Sequence, residues 1–449
     1  MSIPKILQLS VFTSTVFLSK IEAQYSVTAK QQYSDTVKEQ LYNVHGQATV
    51  ITQFQTNFSA KYSGVNSLND NAQNATSCGA TLFMTGRLWK NASLIFDPEI
   101  MGGGGLSDAT GIAELTNGET FRVGAPSPKV YIARLALTQI IPLTKERVWQ
   151  DEDANQLRVK IPTRYLSITA GKVNVGDYFD DNAYAHDPRT QFMNWNLMDA
   201  GAWDYPANTR GYTPSVILQY ISKNDALRYG FSLIAVTANG SIMNWNIGKA
   251  HSQTIEYDHN YQIGKKAGTV RLLAFLTNGD MGNYTEAMQQ LPDTPNIILT
   301  RKYGRIKYGF AINAEQSLTN DLGVFLRGSW NDGKTETWAF TEIDHTLSLG
   351  GQLIGNSWHR PNDKVGFAYA IAGISKQHRK YLQAGGSGFI LGDGNLNYGA
   401  ENMLEAYYNA QITKNIFISG DYQFILNPGY NQDRKGPVHV FSVRVHFDI

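Results

Sequence analysis

Apolar and polar residues alternate through the last twelve residues of the chain, from Val438 to Ile449. From Phe441 onward the apolar positions are Phe441, Val443, Val445, Phe447 and Ile449, and the positions between them are Ser442, Arg444, His446 and Asp448. Successive side chains of a strand point to opposite faces of a sheet. The segment therefore predicts a strand with one apolar face and one ionic face.

The same alternation returns along most of the chain. In one clear example Ile306, Tyr308, Phe310 and Ile312 alternate with Arg305, Lys307, Asn313 and Glu315. The predicted strands are 44–54, 80–89, 94–99, 131–138, 164–173, 212–221, 227–237, 251–263, 269–277, 303–315, 322–331, 344–354, 365–374, 400–412, 416–426 and 438–449. An even set of about sixteen amphipathic strands is typical of bacterial outer-membrane barrels, which show apolar side chains to lipid and polar ones to the lumen.

The connections between these strands favour the same fold. Short polar turns occur at 90–91, 222–225, 264–266, 317–320, 358–363 and 413–415, and longer irregular segments occur at 56–79, 100–129, 174–211, 278–302 and 375–399. One connection, 141–162, is too long for a periplasmic turn. We predict an all-β fold, a transmembrane antiparallel β-barrel of about 16 strands with long extracellular loops and short periplasmic turns.

The start of the chain has the features of a secretory signal peptide. Lys5 precedes a mostly apolar segment, 6–18, and residues 21–23 form an acceptable cleavage site. A buried N-terminal helix is the alternative. We predict a signal peptide at 1–23, a polar periplasmic lead-in at 24–42 and a barrel domain at 43–449, in a protein exported through the periplasm to the outer membrane.

Composition removes several other classes of protein. The formal net charge is +1, so the chain lacks the basic surface that nucleic-acid binding needs. The mean hydropathy of −0.30 is too low for a helical membrane protein. The single cysteine, Cys78, excludes an internal disulfide framework. Pairs of carboxylates occur by chance in a chain with 38 aspartate and glutamate residues, so they do not identify a glycosidase.

Several motifs in the predicted loops and lumen strengthen this interpretation. They include His45-Gly46-Gln47, Asp97-Pro98-Glu99, Asn117-Gly118-Glu119, Gly171-Lys172-Val173-Asn174-Val175, His186-Asp187-Pro188-Arg189, Phe192-Met193-Asn194-Trp195, Gly201-Ala202-Trp203-Asp204-Tyr205 and Asn427-Pro428-Gly429-Tyr430. In these motifs the chain resembles the carbohydrate-selective porins of Gram-negative outer membranes, the OprB type. The resemblance extends over nearly all of the chain after Val44. It implies a sixteen-stranded barrel that passes monosaccharides, such as glucose, and related small sugars.

Charged residues on the polar face are candidates for a constriction. Alternation places Arg87, Glu99 and Arg134 on that face, and a charge facing lipid near the midplane would cost about 2–4 kcal/mol. Opposed acidic and basic groups suit sugar hydroxyls, which both donate and accept hydrogen bonds. The residues predicted to bind substrate or form the constriction are Arg87, Glu99, Glu119, Arg134, Asp177, Trp195, Trp203 and Arg210. The alternative is a charged lumen that only binds water.

The segment 174–211 combines aromatic residues with many charges. Trp195 and Trp203 could stack on the C–H faces of a pyranose ring while nearby charges bind its hydroxyls. Long loops of this kind commonly fold into the barrel and narrow it. The alternative is an extracellular loop stabilised by its own salt bridges.

We predict an outer-membrane channel for passive diffusion of small carbohydrates, without catalytic residues, metal or cofactor. The expected partners are small-sugar solutes, outer-membrane lipid and the barrel-assembly machinery, and no nucleic acid. The sequence leaves the oligomeric state open between a monomer and a homotrimer. Two other functions stay open: a general porin without sugar preference, and a secreted carbohydrate-binding or carbohydrate-cleaving β-protein.

Overall fold

The structure is a computed structural model that describes residues 38–122 and 126–449. In chain order its strands are β1 Tyr42–Gln55, β2 Gln73–Trp89, β3 Ala92–Gly103, β4 Lys129–Pro142, β5 Arg147–Gln150, β6 Val159–Pro162, β7 Tyr165–Val173, β8 Thr213–Ile221, β9 Asp225–Leu233, β10 His251–Ile263, β11 Lys266–Met281, β12 Lys302–Ser317, β13 Leu322–Asn331, β14 His345–Gly355, β15 Arg360–Gly373, β16 Glu401–Gln411, β17 Ile416–Leu426 and β18 Val438–Asp448. All except β5 and β6 form one closed antiparallel barrel of sixteen strands. The predicted fold class is confirmed.

Barrel closure depends on the C-terminal strand. β18 pairs with β1 from Val440 to Asp448, with Val445 opposite Val50. Two further backbone hydrogen bonds extend the pairing to the last residue, from Gly46 N to Ile449 O at 3.0 Å and from Ile449 N to Gly46 O at 2.9 Å. An unpaired strand edge cannot persist in lipid, so these bonds complete the ladder that the membrane requires.

The two faces of the strands differ as the alternation predicts. On β12 the phenyl ring of Phe310 is 57% exposed on the outer surface, whereas Arg305 and Lys307 point inward and are buried. On β18 the outward residue Val443 is exposed, and the inward residue Arg444 is buried. The outer surface is therefore apolar where lipid contacts it, and the lumen is polar.

Long and short connections lie at opposite ends of the barrel. The helices α1 Trp195–Met198, α2 Tyr284–Gln290 and α3 Lys376–Gln383 all occur in long connections. Among the described residues, none of the helices has the length and apolar character needed to cross a membrane. The predicted signal peptide, 1–23, and most of the predicted lead-in, 24–42, fall outside the described residues.

The exceptional connection at 141–162 contains a hairpin of its own. β5 pairs with β6 in a separate two-stranded sheet, with Val148 opposite Ile161. The hairpin lies between β4 and β7 at the end of the barrel that carries the short turns, which is the periplasmic end in barrels of this class. The extra length is therefore an ordered insertion.

The apolar core of the molecule lies inside the barrel and consists largely of loop residues. In the β7–β8 loop, residues 174–212, Phe179, Phe192 and Met193 are fully buried. Glycines on the strands make room for these rings, since a Cβ atom at Gly230 would lie 3.0 Å from the ring of Phe179. The loop is thus packed against the lumen wall as tightly as a protein interior.

The faces of the strands predict a depth-dependent effect of charge. Phe310→Arg places a charge at the middle of the lipid face and should cost about 2–4 kcal/mol, whereas Ile263→Arg lies beside a periplasmic turn and should cost about 0–1 kcal/mol. The measurement is the fraction of each variant that reaches the outer membrane as a folded, heat-modifiable barrel. Equal yields for the two variants would contradict this assignment of the lipid face.

Candidate functional site

Strand carboxylates hold the β7–β8 loop inside the barrel by accepting its backbone N–H groups. The Oε1 and Oε2 atoms of Glu405 on β16 accept hydrogen bonds from Met193 N at 2.5 Å and Asn194 N at 3.0 Å. Glu256 on β10 accepts one from Asp180 N at 2.7 Å. Backbone N–H groups buried without partners would destabilise the loop, so these carboxylates replace the water that the loop loses.

Strand arginines hold the same loop through its carbonyl groups. Arg327 on β13 donates to Leu197 O at 2.5 Å and to Ala185 O at 2.6 Å. Arg444 on β18 donates to Pro188 O at 2.6 Å and to Gln191 O at 2.8 Å. The loop therefore occupies the part of the lumen lined by β10 to β18.

A second group of charged residues lies on the opposite wall, formed by β2, β3, β4, β7 and β8. We call it the ionic cluster, and its members are Asp97, Glu99, Glu119, Arg134, Lys172, Asp177, Arg189 and Arg210, with the rings of Tyr131 and Tyr212. These side chains bind mainly one another instead of loop backbone. The barrel strands supply half of the charges, and the β3–β4 and β7–β8 loops supply the rest.

Glu99 on β3 is the most heavily bonded acidic group of the ionic cluster. Its carboxylate accepts hydrogen bonds from Thr81 Oγ1 at 2.6 Å and from the Tyr212 hydroxyl at 3.0 Å. The Tyr131 hydroxyl also donates to it. Only 2% of its side chain is exposed, so Glu99 orients its neighbours in the cluster from a buried position.

Arg134 on β4 joins a strand carboxylate to a loop carboxylate. Its Nε and Nη2 atoms donate to the two oxygens of Asp177, both at 2.6 Å. Its Nη1 atom donates to Asp97 Oδ2 at 3.4 Å, and Asp97 is its register partner on β3. Because two separate elements hold the guanidinium, its plane is fixed relative to the lumen.

Arg189 of the β7–β8 loop connects the two glutamates of the ionic cluster. Its Nε atom donates to Glu119 Oε2 at 3.0 Å, and its Nη2 atom lies 3.8 Å from Glu99 Oε2. Burial raises the pKa of Glu119, and the neighbouring guanidinium of Arg189 opposes that rise. Burial also opposes the charge of Arg189, but the carboxylates of Glu119 and Glu99 hold the pKa of Arg189 above its usual range.

Aromatic rings lie against the cations of the ionic cluster. The Arg210 Cζ atom lies 4.4 Å from the ring centroid of Tyr131 and 4.9 Å from that of Phe121. The Lys172 Nζ atom lies 5.7 Å from the ring centroid of Tyr212. Stacking of this kind fixes a guanidinium by one face and leaves its N–H edge for other partners.

The structure brings together five of the eight residues predicted for the site. They are Glu99, Glu119, Arg134, Asp177 and Arg210. Arg87 faces the lumen side as predicted, but it lies at the end of β2 and pairs with Glu39 at 2.6 Å, outside the ionic cluster. Alternation identifies the face of the strand on which a residue lies, but not its depth along the barrel axis. The sequence alone therefore could not distinguish the positions of Arg87 and Arg134.

The prediction that Trp195 and Trp203 present rings to a sugar is wrong. Their side chains are only 5% and 3% exposed, and both lie in the packed core of the β7–β8 loop. The ring of Trp195 stacks on Phe340 at a centroid distance of 4.5 Å. The ring of Trp203 meets Phe179 edge-on at 6.2 Å. Both tryptophans therefore stabilise the loop that narrows the barrel.

Five members of the ionic cluster were not among the predicted site residues: Asp97, Tyr131, Lys172, Arg189 and Tyr212. Asp97, Lys172 and Arg189 occur within motifs that carry the resemblance, so the motifs were the available signal. Alternation places Tyr131 on the apolar face of β4, opposite Arg134. A register shift between β3 and β4, at Asp97 and Pro98, instead turns Tyr131 toward the lumen. Within residues 38–122 and 126–449, no three histidine, cysteine, aspartate or glutamate side chains converge as a metal site would require.

Comparisons with known proteins agree with this architecture. The family described as carbohydrate-selective porin, OprB family, matches residues 83–449. The high-pH structure of Pseudomonas putida OprB has a TM-score of 0.70 at 15% sequence identity, covering 91% of this chain and 94% of that chain. The DcaP channel of Acinetobacter baumannii has a TM-score of 0.49 at 10% identity, covering 91% and 97%. No curated protein matches the chain in sequence.

The packing of Trp203 predicts a structural effect of its removal. Trp203→Ala should open a cavity in the β7–β8 loop and cost about 3–5 kcal/mol, as for other buried aromatic residues. Trp245→Ala is the matched control, because Trp245 is 73% exposed. The measurement is the temperature at which the folded barrel converts to its unfolded form on a gel. A Trp203 variant as stable as the control would contradict the packed position of the ring.

Proposed function

The chain belongs to the OprB family of carbohydrate-selective porins, and we propose that small neutral sugars, monosaccharides among them, are selected at its ionic cluster. The protein is a carbohydrate channel of the bacterial outer membrane. Its family and fold are those of a channel and not of an enzyme.

The observation that carries this proposal is the balance of charge in the ionic cluster. The cluster contains equal numbers of acidic and basic groups. There are four carboxylates, those of Asp97, Glu99, Glu119 and Asp177, and four cations, those of Arg134, Lys172, Arg189 and Arg210. The formal charges sum to zero, so the cluster has no net attraction for an anion or a cation. A neutral solute with many polar groups is the class that such a surface suits.

The exposed members of the cluster offer a sugar both kinds of hydrogen-bonding partner. The side chain of Asp177 is 34% exposed and accepts hydrogen bonds, and that of Arg189 is 19% exposed and donates them. A sugar hydroxyl can use both, because it carries one donor and two acceptor lone pairs. The solute can then exchange its water for fixed partners as it passes the cluster.

The position of the cluster supports the same role. The β7–β8 loop fills the lumen on the side of β10 to β18, and Asp177, Arg189 and Arg210 extend from that loop toward the opposite wall. We place the sugar passage between the loop and this wall. The loop therefore contributes to selection through these three charged side chains, and its tryptophans contribute only to its packing.

The double variant Arg134→Ala with Asp177→Ala tests the proposal. Removing this pair should widen the passage, raise the single-channel conductance and lower the preference for sugars. Loss of one solute hydrogen bond worth about 0.5–1.5 kcal/mol corresponds to roughly a 2- to 10-fold change in affinity. The measurement is liposome swelling with glucose and with a neutral non-sugar solute of matched size, beside single-channel recording.

The control variant is Lys223→Ala, which removes a charge from the exposed turn between β8 and β9 without touching the ionic cluster. It should keep the wild-type conductance and solute ratios. If the double variant behaved like this control, the cluster would be a solvated vestibule, and a general porin without sugar preference would be the better description.

A further inference from the structure

The periplasmic hairpin enters the lumen instead of remaining at its edge. Its tip, residues 151–158, contacts inward-facing residues of two barrel strands. The Nδ2 atom of Asn43 on β1 donates to Asp153 O at 3.0 Å and to Gln156 O at 2.5 Å. The Nδ2 atom of Asn155 donates to Asp97 Oδ2 on β3 at 2.8 Å. The tip therefore crosses from its own strands, β4 and β7, to the wall that carries the ionic cluster.

The depth that the tip reaches follows from the position of Asp97. β3 begins at Ala92 beside the short turn, and Asp97 lies five residues farther along. At about 3.3 Å per residue this is roughly 16 Å along the strand. Leu157, within the tip, is only 5% exposed, as expected for a side chain inserted among other atoms. The hairpin thus reaches well into the barrel from the periplasmic side.

Asp97 connects the hairpin to the ionic cluster. The same Oδ2 atom accepts hydrogen bonds from Asn155 and from Arg134. Asp97 is fully buried, so its carboxylate has few other ways to be oriented. Arg134 in turn pairs with Asp177 of the β7–β8 loop. A continuous chain of polar contacts therefore runs from a periplasmic hairpin to an extracellular loop through one guanidinium.

The returning side of the hairpin, from Arg158 into β6, is fastened separately by the segment that precedes β1. Gln40 N donates to Arg158 O at 2.9 Å, and Arg158 N donates to Gln40 Oε1 at 2.7 Å. Lys160 N donates to Glu39 Oε1 at 3.1 Å, and Glu39 also pairs with Arg87. The hairpin is held both at Asn155 and along β6, which fixes the tip against the barrel wall.

We propose that the β5–β6 hairpin forms the periplasmic wall of the sugar passage, and that Asn155 is a positioning residue for Arg134. This inference rests on the proposed function of the ionic cluster and deepens it. The cluster is then shaped from both sides of the membrane, by the β7–β8 loop above and by the hairpin tip below. Asn155 acts through Asp97, whose orientation sets that of the guanidinium.

The hairpin can be deleted where its two ends meet. Leu143 N donates to Arg164 O at 2.9 Å, so the two ends of the insertion are adjacent. Replacing residues 144–163 by Asn-Gly should give a two-residue hairpin turn, the kind that joins antiparallel strands most readily. The replacement should raise the single-channel conductance and lower the swelling preference for glucose over a neutral non-sugar solute of matched size.

Two single variants test the positioning role without removing the hairpin. Asn155→Ala should reduce the glucose preference by about 2- to 10-fold, as for one displaced hydrogen bond. Asn155→Asp keeps the size of the tip and adds a carboxylate beside Asp97, so the reversal potential in a salt gradient should shift toward cations. Asn224→Ala is the matched control, in the exposed turn between β8 and β9. It should leave the single-channel conductance, the glucose preference and the reversal potential unchanged.

The outcomes separate this inference from the proposed function on which it rests. If Arg134→Ala with Asp177→Ala altered selectivity while folded hairpin and Asn155 variants kept wild-type conductance, solute ratios and reversal potential, the hairpin would lie outside the passage. If none of these variants altered selectivity, the role of the ionic cluster would fail as well. Should the hairpin replacement not assemble, the two Asn155 variants decide the question.

Discussion

The backbone of the β7–β8 loop must form hydrogen bonds inside the barrel, and the rest of the structure depends on how the lumen provides them. Each buried N–H or C=O group left without a partner would cost about 1–3 kcal/mol. The carboxylates of Glu256 and Glu405 accept bonds from the loop, and the guanidiniums of Arg327 and Arg444 donate to it. These contacts give the loop one position inside the barrel.

Lumen charges therefore fall into two classes that differ in their partners. The first class binds loop backbone and is almost completely enclosed, as for Arg327, whose side chain is 1% exposed. The second class binds other side chains, and some of its members remain partly exposed, as for Asp177 at 34%. A buried charge is tolerated only when its partners satisfy it, so the first class cannot also serve a passing solute. Charge alone does not identify the selective residues of such a barrel.

Periodicity explains how much could be predicted from the sequence. Strand alternation repeats every two residues, so the barrel, its strand number and the inward direction of Arg134 and Glu99 were all predictable. Depth is not encoded in that period, and Arg87 has the same inward direction at a different height. The β7–β8 loop has no period, so its composition could not distinguish Trp203, packed in a core, from Arg189, which bridges the cluster. Tertiary contacts alone make that distinction.

The geometry of Arg134 suits a channel better than a tight binding site. Its guanidinium has five N–H groups, and three of them are already bonded, two to Asp177 and one to Asp97. In the proposed function, the other two are the donors that a sugar meets. Because the side chain is already ordered, a sugar does not have to immobilise it, which would otherwise cost about 1.5–2 kcal/mol. A small number of N–H groups in a fixed orientation allows hydrogen bonds to a sugar to form and break quickly. Passive conduction needs contacts of this kind, since a solute held tightly would block its own passage.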